Sequence, residues 1–275
     1  MKSESQPPVC LTIAGLDPSG GAGIIADIEA FLAFGCSPAA VITSITFQNS
    51  KDFFGAEHQS AFSVLRQIEV ALDEAPMLTA KTGMLPTREN VVAVAALGAE
   101  RPWRYLVIDP VSRSSSGHEL METDALQTMI KLLFPLATLV TPNIPEAENI
   151  TGVKIRSVDD IHRAAALIQS MGAQNVLIKG GHPLAQAGDK SSNGREATDY
   201  LFGVGGSLTF SGDFIRGASD ARGTGCRLAS AIAANLALGK DLGEAVKIAK
   251  DYVAHYIRMC SGLADAPVDI SDRVN

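Results

Sequence analysis

Residues 9–23 read VCLTIAGLDPSGGAG: an unbroken apolar run, Gly15, then Asp17, Pro18, Ser19 and three more glycines. An apolar run without polar alternation suits a strand covered on both faces. The following IIADIEAFLAFG has helical character and stops at Gly35, a helix C-cap residue. A buried strand passing through a glycine-rich turn into a helix is the building unit of a parallel α/β sheet.

The same unit recurs along the chain. AAVITSITFQN (39–49) is strand-like from its β-branched residues, and MLTAKTGML (77–85) returns to strand character. RYLVIDP (104–110), ATLVTPN (137–143) and NVLIKGG (175–181) are short apolar runs ending in polar or glycine residues. Helical patterns lie between them, at 60–75, at 87–100 behind a Thr87 cap, and at 122–137, 145–152 and 157–172. EATDYLFGVGGSLTFSG (196–212) reads as a hairpin turning at residues 203–206, and two long helices, 226–239 and 242–260, close the chain. The expected fold is a three-layer α/β/α domain around a mostly parallel sheet. It is read as one domain over 1–275, with 1–8 as a flexible tail, because no repeat or linker interrupts it.

Composition narrows the function. A charge of −7 over 275 residues disfavours a broad nucleic-acid surface, though it leaves room for a local anion site. The N-terminus lacks the apolar run of a signal peptide, and no apolar run is long enough to span a membrane. Cys10, Cys36, Cys226 and Cys260 are scattered without a CxxC pair, which suits a reducing cytoplasm.

In a sheet of this kind, ligands bind beyond the carboxyl ends of the strands, where four polar clusters fall. GLDPSGGAG (15–23) allows close backbone approach to a ligand, yet it is neither G-x-G-x-x-G nor a Walker A sequence; the alternative is a plain β-to-α turn. Asp27, taken alone, reads as a surface or cap residue. Asp109 in VIDPV and Asn143 and Glu146 in VTPNIPEAE offer oxygen ligands for a hydrated magnesium. They equally suit a proline-shaped turn with Glu146 at a helix N-terminus. Lys179 with Gly180 and Gly181 in IKGGH can meet phosphate oxygens or form a solvated turn, and His182 reads as a loop residue. In ARGTGC (221–226), the amides of Gly223, Thr224, Gly225 and Cys226 converge at a helix start, an anion hole that also lowers a thiol's pKa. The alternative for Cys226 is a small buried filler.

AGLDPSGGAGIIAD, FQN, KTGML, VIDPV, TPNIPEAENITG, IKGGH and GTGC occur in this order over nearly the whole chain. The series resembles the hydroxymethylpyrimidine/phosphomethylpyrimidine kinases of thiamine biosynthesis, within the ribokinase-like fold. The glycine-rich opening and GTGC are specific to that group; TPNxxE is more widely shared.

The resemblance implies ATP and Mg2+, with phosphorylation of 4-amino-5-hydroxymethyl-2-methylpyrimidine and then of its monophosphate. It places pyrimidine contacts at Gly15, Asp17, Ala22, Asp27, Thr46, Gln48, Met84 and Val111. Gln48 can donate to and accept from an aminopyrimidine edge, and Met84 can pack on its ring. Asp109 and Glu146 become magnesium ligands assisted by Asn143, while Lys179, Gly181, Thr224 and the 223–226 loop meet ATP phosphates. Cys226 stands where sugar kinases of the wider fold carry an aspartate base. A homodimer is implied as well.

The chain departs from the family at SRSSSG (112–117), where Ser112 and Ser115 replace Met and Lys, and at Arg222 and Arg227, where His and Thr are usual. With Arg113, these arginines read as added phosphate affinity or as solvated side chains. Two other functions compete: pyridoxal kinase, and a non-catalytic pyrimidine-phosphate sensor. PLAQAGDKSSNGR (183–195) has the composition of a mobile loop, a candidate lid.

Overall fold

The structure, a computed structural model, describes residues 6–74, 77–114, 117–180, 196–215 and 221–263. The expected candidate lid, Gly181, His182, Ser115 and most of the expected N-terminal tail lie outside these residues.

Nine strands form one sheet in the order β3-β2-β1-β4-β5-β6-β7-β8-β9. β1 (Val9–Leu16), β2 (Ser37–Gln48), β4 (Met77–Thr82), β5 (Tyr105–Ile108), β6 (Leu139–Val140) and β7 (Val176–Ile178) run parallel. β3 (Phe53–His58) pairs antiparallel with β2, and the hairpin of β8 (Glu196–Gly203) and β9 (Gly206–Asp213) closes the other edge.

Two cores flank the sheet because successive side chains of a strand point to opposite faces. Leu11, Ile13, Leu106, Ile108, Val176 and Ile178 enter one core. Their neighbours Cys10, Val107 and Leu177 enter the other. That double burial is why the strands read as continuous apolar runs. The first core is covered by α2 (Ala61–Glu74), α3 (Arg88–Glu100), α4 (Thr123–Leu132), α5 (Ile144–Thr151) and α6 (Val158–Ser170). The second is covered by α1 (Gly23–Ala33), α7 (Thr224–Ala237) and α8 (Leu242–Cys260).

Two helical expectations are adjusted. The 122–137 pattern divides into α4 and a 3-10 turn, Phe134–Leu136, since Pro135 has no N–H to continue the ladder. α7 starts at Thr224, so Cys226 lies inside its first turn. The Thr87 cap is present, its side chain accepting from the Asn90 amide at 3.2 Å. β3 was not legible: none of its residues is fully buried, and Phe54 faces outward on an edge strand.

Candidate active site

Parallel strands bring their carboxyl ends to one edge. Asp17 follows β1, Met84 follows β4, Asp109 follows β5, Asn143 follows β6 and Lys179 follows β7. The start of α7 meets them from the other layer. Gly223 is its N-cap, with φ of 67° and no side-chain cap. The first-turn amides, including those of Thr224, Gly225 and Cys226, therefore open outward, as an anion cradle requires. An alanine at Gly223 would be strained by its positive φ and would run into the Gly21 carbonyl, so the two glycine loops touch backbone to backbone.

Lys179 stands beside this cradle. Its amide donates to the Pro142 carbonyl at 2.8 Å and its Nζ to Asp109 Oδ1 at 2.7 Å. A Cβ at Gly225 would lie 3.2 Å from Nζ and 3.9 Å from Asp109 Oδ2, so the cradle, the lysine and the carboxylate share one space. Burial disfavours the Lys179 charge, but Asp109 and Glu146 outweigh it and hold the ammonium above its ordinary value.

Asn143 and Glu146 form a capping box at α5: Asn143 Oδ1 accepts the Glu146 amide and Glu146 Oε2 accepts the Asn143 amide, each at 2.8 Å. The helix-terminus reading of this pair is thus the one realised locally, with the Asn143 oxygen engaged. Burial pushes the Glu146 carboxyl up to about 7, with Lys179 opposing and Asp109 reinforcing. Among the described residues no group of three or more His, Cys, Asp or Glu could cage a metal. Two carboxylates beside a phosphate cradle nevertheless suit magnesium, which keeps waters and phosphate oxygens in its shell. Thr141 and Lys179 engage Asp109 at Oδ1 and the Asn143 amide engages Glu146 at Oε2, so each carboxylate has a second oxygen to offer as a hard donor.

Behind the cradle the structure corrects two expectations. Asp27 is neither a surface nor a cap residue: it is fully buried, and both oxygens are engaged. Lys81 Nζ lies 2.9 Å from each oxygen, Thr12 Oγ1 donates at 2.6 Å and Ser230 Oγ at 2.7 Å. This carboxylate ties together β1, α1, β4 and α7. The Cys226 thiol, expected to be acidified by its helix, is instead raised. Burial dominates; Lys81 and the Gly23 N–H pull down, while Asp27 and Asp109 push up. The thiol is neutral near pH 7.

On the acceptor side, Met84 packs over Gly15, whose added Cβ would stand 3.0 Å from the sulfur. Thr46 Oγ1 is spent on the Leu16 carbonyl at 2.9 Å, while Gln48, Ala22 and Val111 are half-buried around the same edge. Asp17 is buried, accepting from the Ser19 amide and hydroxyl at 2.9 and 2.7 Å and from Arg222 at 2.9 Å.

The phosphomethylpyrimidine kinase family model matches residues 17–268. The chain belongs to this family. It is 36% identical over 250 residues to a hydroxymethylpyrimidine/phosphomethylpyrimidine kinase of Aquifex aeolicus, covering 91% of the chain and 94% of that protein. It is 40% identical to a thiamine biosynthesis bifunctional protein of Geobacter sulfurreducens over 92% of the chain, but spans only half of that relative's length. A phosphomethylpyrimidine kinase structure from Clostridium difficile 630 matches with a TM-score of 0.77 at 39% identity, over 91% of this chain and 99% of that one. A pyridoxal kinase from Staphylococcus aureus in complex with pyridoxal matches with 0.81 at 32%, over 92% and 89%. The sheet and helical layers are those of this ribokinase-like kinase group, and ATP is the phosphoryl donor that membership in a kinase family implies.

For a phosphomethylpyrimidine kinase family member, the arginine departures now have addresses. Arg222 and Arg227 turn to the glycine-rich loop, and Arg113 pairs at 3.3 Å with Glu119 on an exposed stretch. Sequence reasoning missed Lys81. Its signal was a lysine inside an otherwise apolar and threonine-bearing strand, MLTAKT. No described helix is long and apolar enough to cross a membrane.

Proposed function

We propose that this chain phosphorylates 4-amino-5-hydroxymethyl-2-methylpyrimidine with ATP, and then phosphorylates the resulting monophosphate to the diphosphate. The observation that carries this reading is the shared space of Lys179, Asp109 and the open start of α7. An acceptor oxygen bonds to the γ-phosphorus as the bond to the β,γ-bridging oxygen breaks; ADP leaves, and the proton of an alcohol acceptor passes to a phosphate oxygen or to water. Such transfer depends on positioning and charge stabilisation more than on covalent participation. Lys179 and the amides of residues 224–226 neutralise charge on the moving phosphoryl group. Asp109 and Glu146 would hold magnesium, which would supply further neutralisation of phosphate oxygens. Gln48 and Met84 orient the pyrimidine.

The neutral Cys226 thiol fits a site that accepts both an alcohol and a phosphate. A carboxylate there would repel the anionic second acceptor, whereas a thiol does not. Cys226→Asp is expected to damage the second phosphorylation more than the first; equal losses would refute this account.

Pyridoxal kinase is the second reading, favoured by the likeness to the Staphylococcus aureus enzyme. A pyrimidine-phosphate sensor is the third. ADP release with the hydroxymethylpyrimidine, its monophosphate and pyridoxal separates all three. Turnover of both pyrimidines well above pyridoxal is expected; preference for pyridoxal moves the assignment, and binding without ADP release supports the sensor. A homodimer and a cytoplasmic setting complete the proposal.

A further inference from the structure

We infer that Arg222 and Arg227 latch the acceptor loop, residues 17–23, onto the start of α7, as positioning residues for the acceptor and not as phosphate ligands. This rests on the kinase reading above. Arg222 spans two groups of the loop, donating from Nη2 to Asp17 Oδ2 at 2.9 Å and from Nη1 to Ser19 Oγ at 2.8 Å. Arg227 takes the next position along, donating from Nη1 to the Gly21 carbonyl at 3.1 Å and to the Arg222 carbonyl at 3.2 Å. Its Nη2 pairs with Glu29 on α1, and its guanidinium lies 3.9 Å from the centre of the Tyr256 ring. Tyr256 Oη completes the set by donating to the Arg222 carbonyl at 3.1 Å.

The glycine-rich loop is thus gripped at residues 17, 19 and 21 by groups more than 200 positions later in the chain. Both Nη atoms of each arginine are engaged, and Arg227 is only 3% exposed, so neither guanidinium is presented to ATP. What the latch governs is the spacing between Ala22 and Gly23 on one side and Gly225 and Cys226 on the other. The two sides already touch, since a Cβ at Gly223 would run into the Gly21 carbonyl and Ala22 Cα. Reaction within a preset site is sensitive to small displacements of the reacting groups. Asp17 is 1% exposed, so losing Arg222 strands a buried carboxylate that recovers hydration only by opening the loop.

The test compares Arg222→Ala and Arg222→Lys with the native protein in two readouts. Steady-state kinetics with the pyrimidine and magnesium-ATP should show the acceptor KM of Arg222→Ala raised about 10- to 100-fold, the scale of a lost charge-assisted hydrogen bond, with the ATP KM within about twofold. Arg222→Lys should lie between, since an ammonium cannot span Asp17 and Ser19 as a planar fork does. Amide hydrogen exchange without ligand should quicken across residues 17–23 in Arg222→Ala. If that variant fails to fold, Ser19→Ala removes the hydroxyl's bonds to Arg222 and Asp17 while leaving the Arg222–Asp17 pair, and should shift both readouts in the same direction by less. An unchanged acceptor KM, or an equal rise in the ATP KM, overturns the latch. If the native protein turns over no acceptor, the kinase reading fails, and the exchange experiment alone decides: faster exchange at 17–23 upholds the latch and unchanged exchange overturns it.

Discussion

Lys81→Met removes the cation that faces Asp27 in a part of the core with no solvent access on either side chain. Breaking a buried pair by deleting one partner costs about 3–5 kcal/mol, because the remaining charge is left without compensation. Thr12 and Ser230 would still donate to the carboxylate, which argues for the lower half, about 3–4 kcal/mol. With a urea m-value of about 3 kcal/mol/M, the midpoint should fall by roughly 1 M. Asp27→Asn should cost a similar amount by stranding the ammonium. The double variant Asp27→Asn/Lys81→Met removes both charges, and its amide oxygen can still accept from Thr12 or Ser230. Its expected loss is about 1–2 kcal/mol, far below the sum of the singles. Equilibrium urea unfolding followed by far-UV circular dichroism measures all three. A double variant as destabilised as the two singles added together would refute the reasoning, since the charges would then act independently.

Other consequences follow from single positions. Gly223→Ala forces a Cβ into the Gly21 carbonyl at a φ of 67°, and should reduce kcat/KM by about 100-fold or more while leaving the helical circular dichroism signal intact; near-native turnover would show that the loops yield easily. Glu146 binds its proton more tightly when folded, its carboxyl lying at about 7 against an ordinary 4.5. Its contribution to stability is therefore full below about pH 4.5 and lost as pH rises through about 7. Glu146→Gln should escape that loss, so its thermal midpoint should gain on the native protein across this window; a constant difference would contradict the assignment. Thr87→Ala deletes the cap of α3 and should cost about 1 kcal/mol, read as a lower midpoint in urea unfolding; an unchanged midpoint would show that the cap contributes nothing.

Most strands and helices could be read in order along the chain, because strand burial on both faces, helix caps and turn glycines act over a few residues. The continuous run at 9–15, the Thr87 cap and the hairpin at 203–206 were all legible for that reason. The four polar clusters were legible too, since a parallel sheet sends strand ends to one edge. β3 escaped because an edge strand with one open face has little apolar pattern to show. Tertiary structure alone decided that Asp27 is a buried partner of Lys81, 54 residues away, and that Arg222 meets Asp17 across 205 residues. It also reversed the expectation for the Cys226 thiol. A helix start lowers a thiol's pKa, but burial and the neighbouring Asp27 and Asp109 raise it, and they prevail. Periodicity is carried by neighbours along the chain; charge state is set by neighbours in space and by the water that packing excludes.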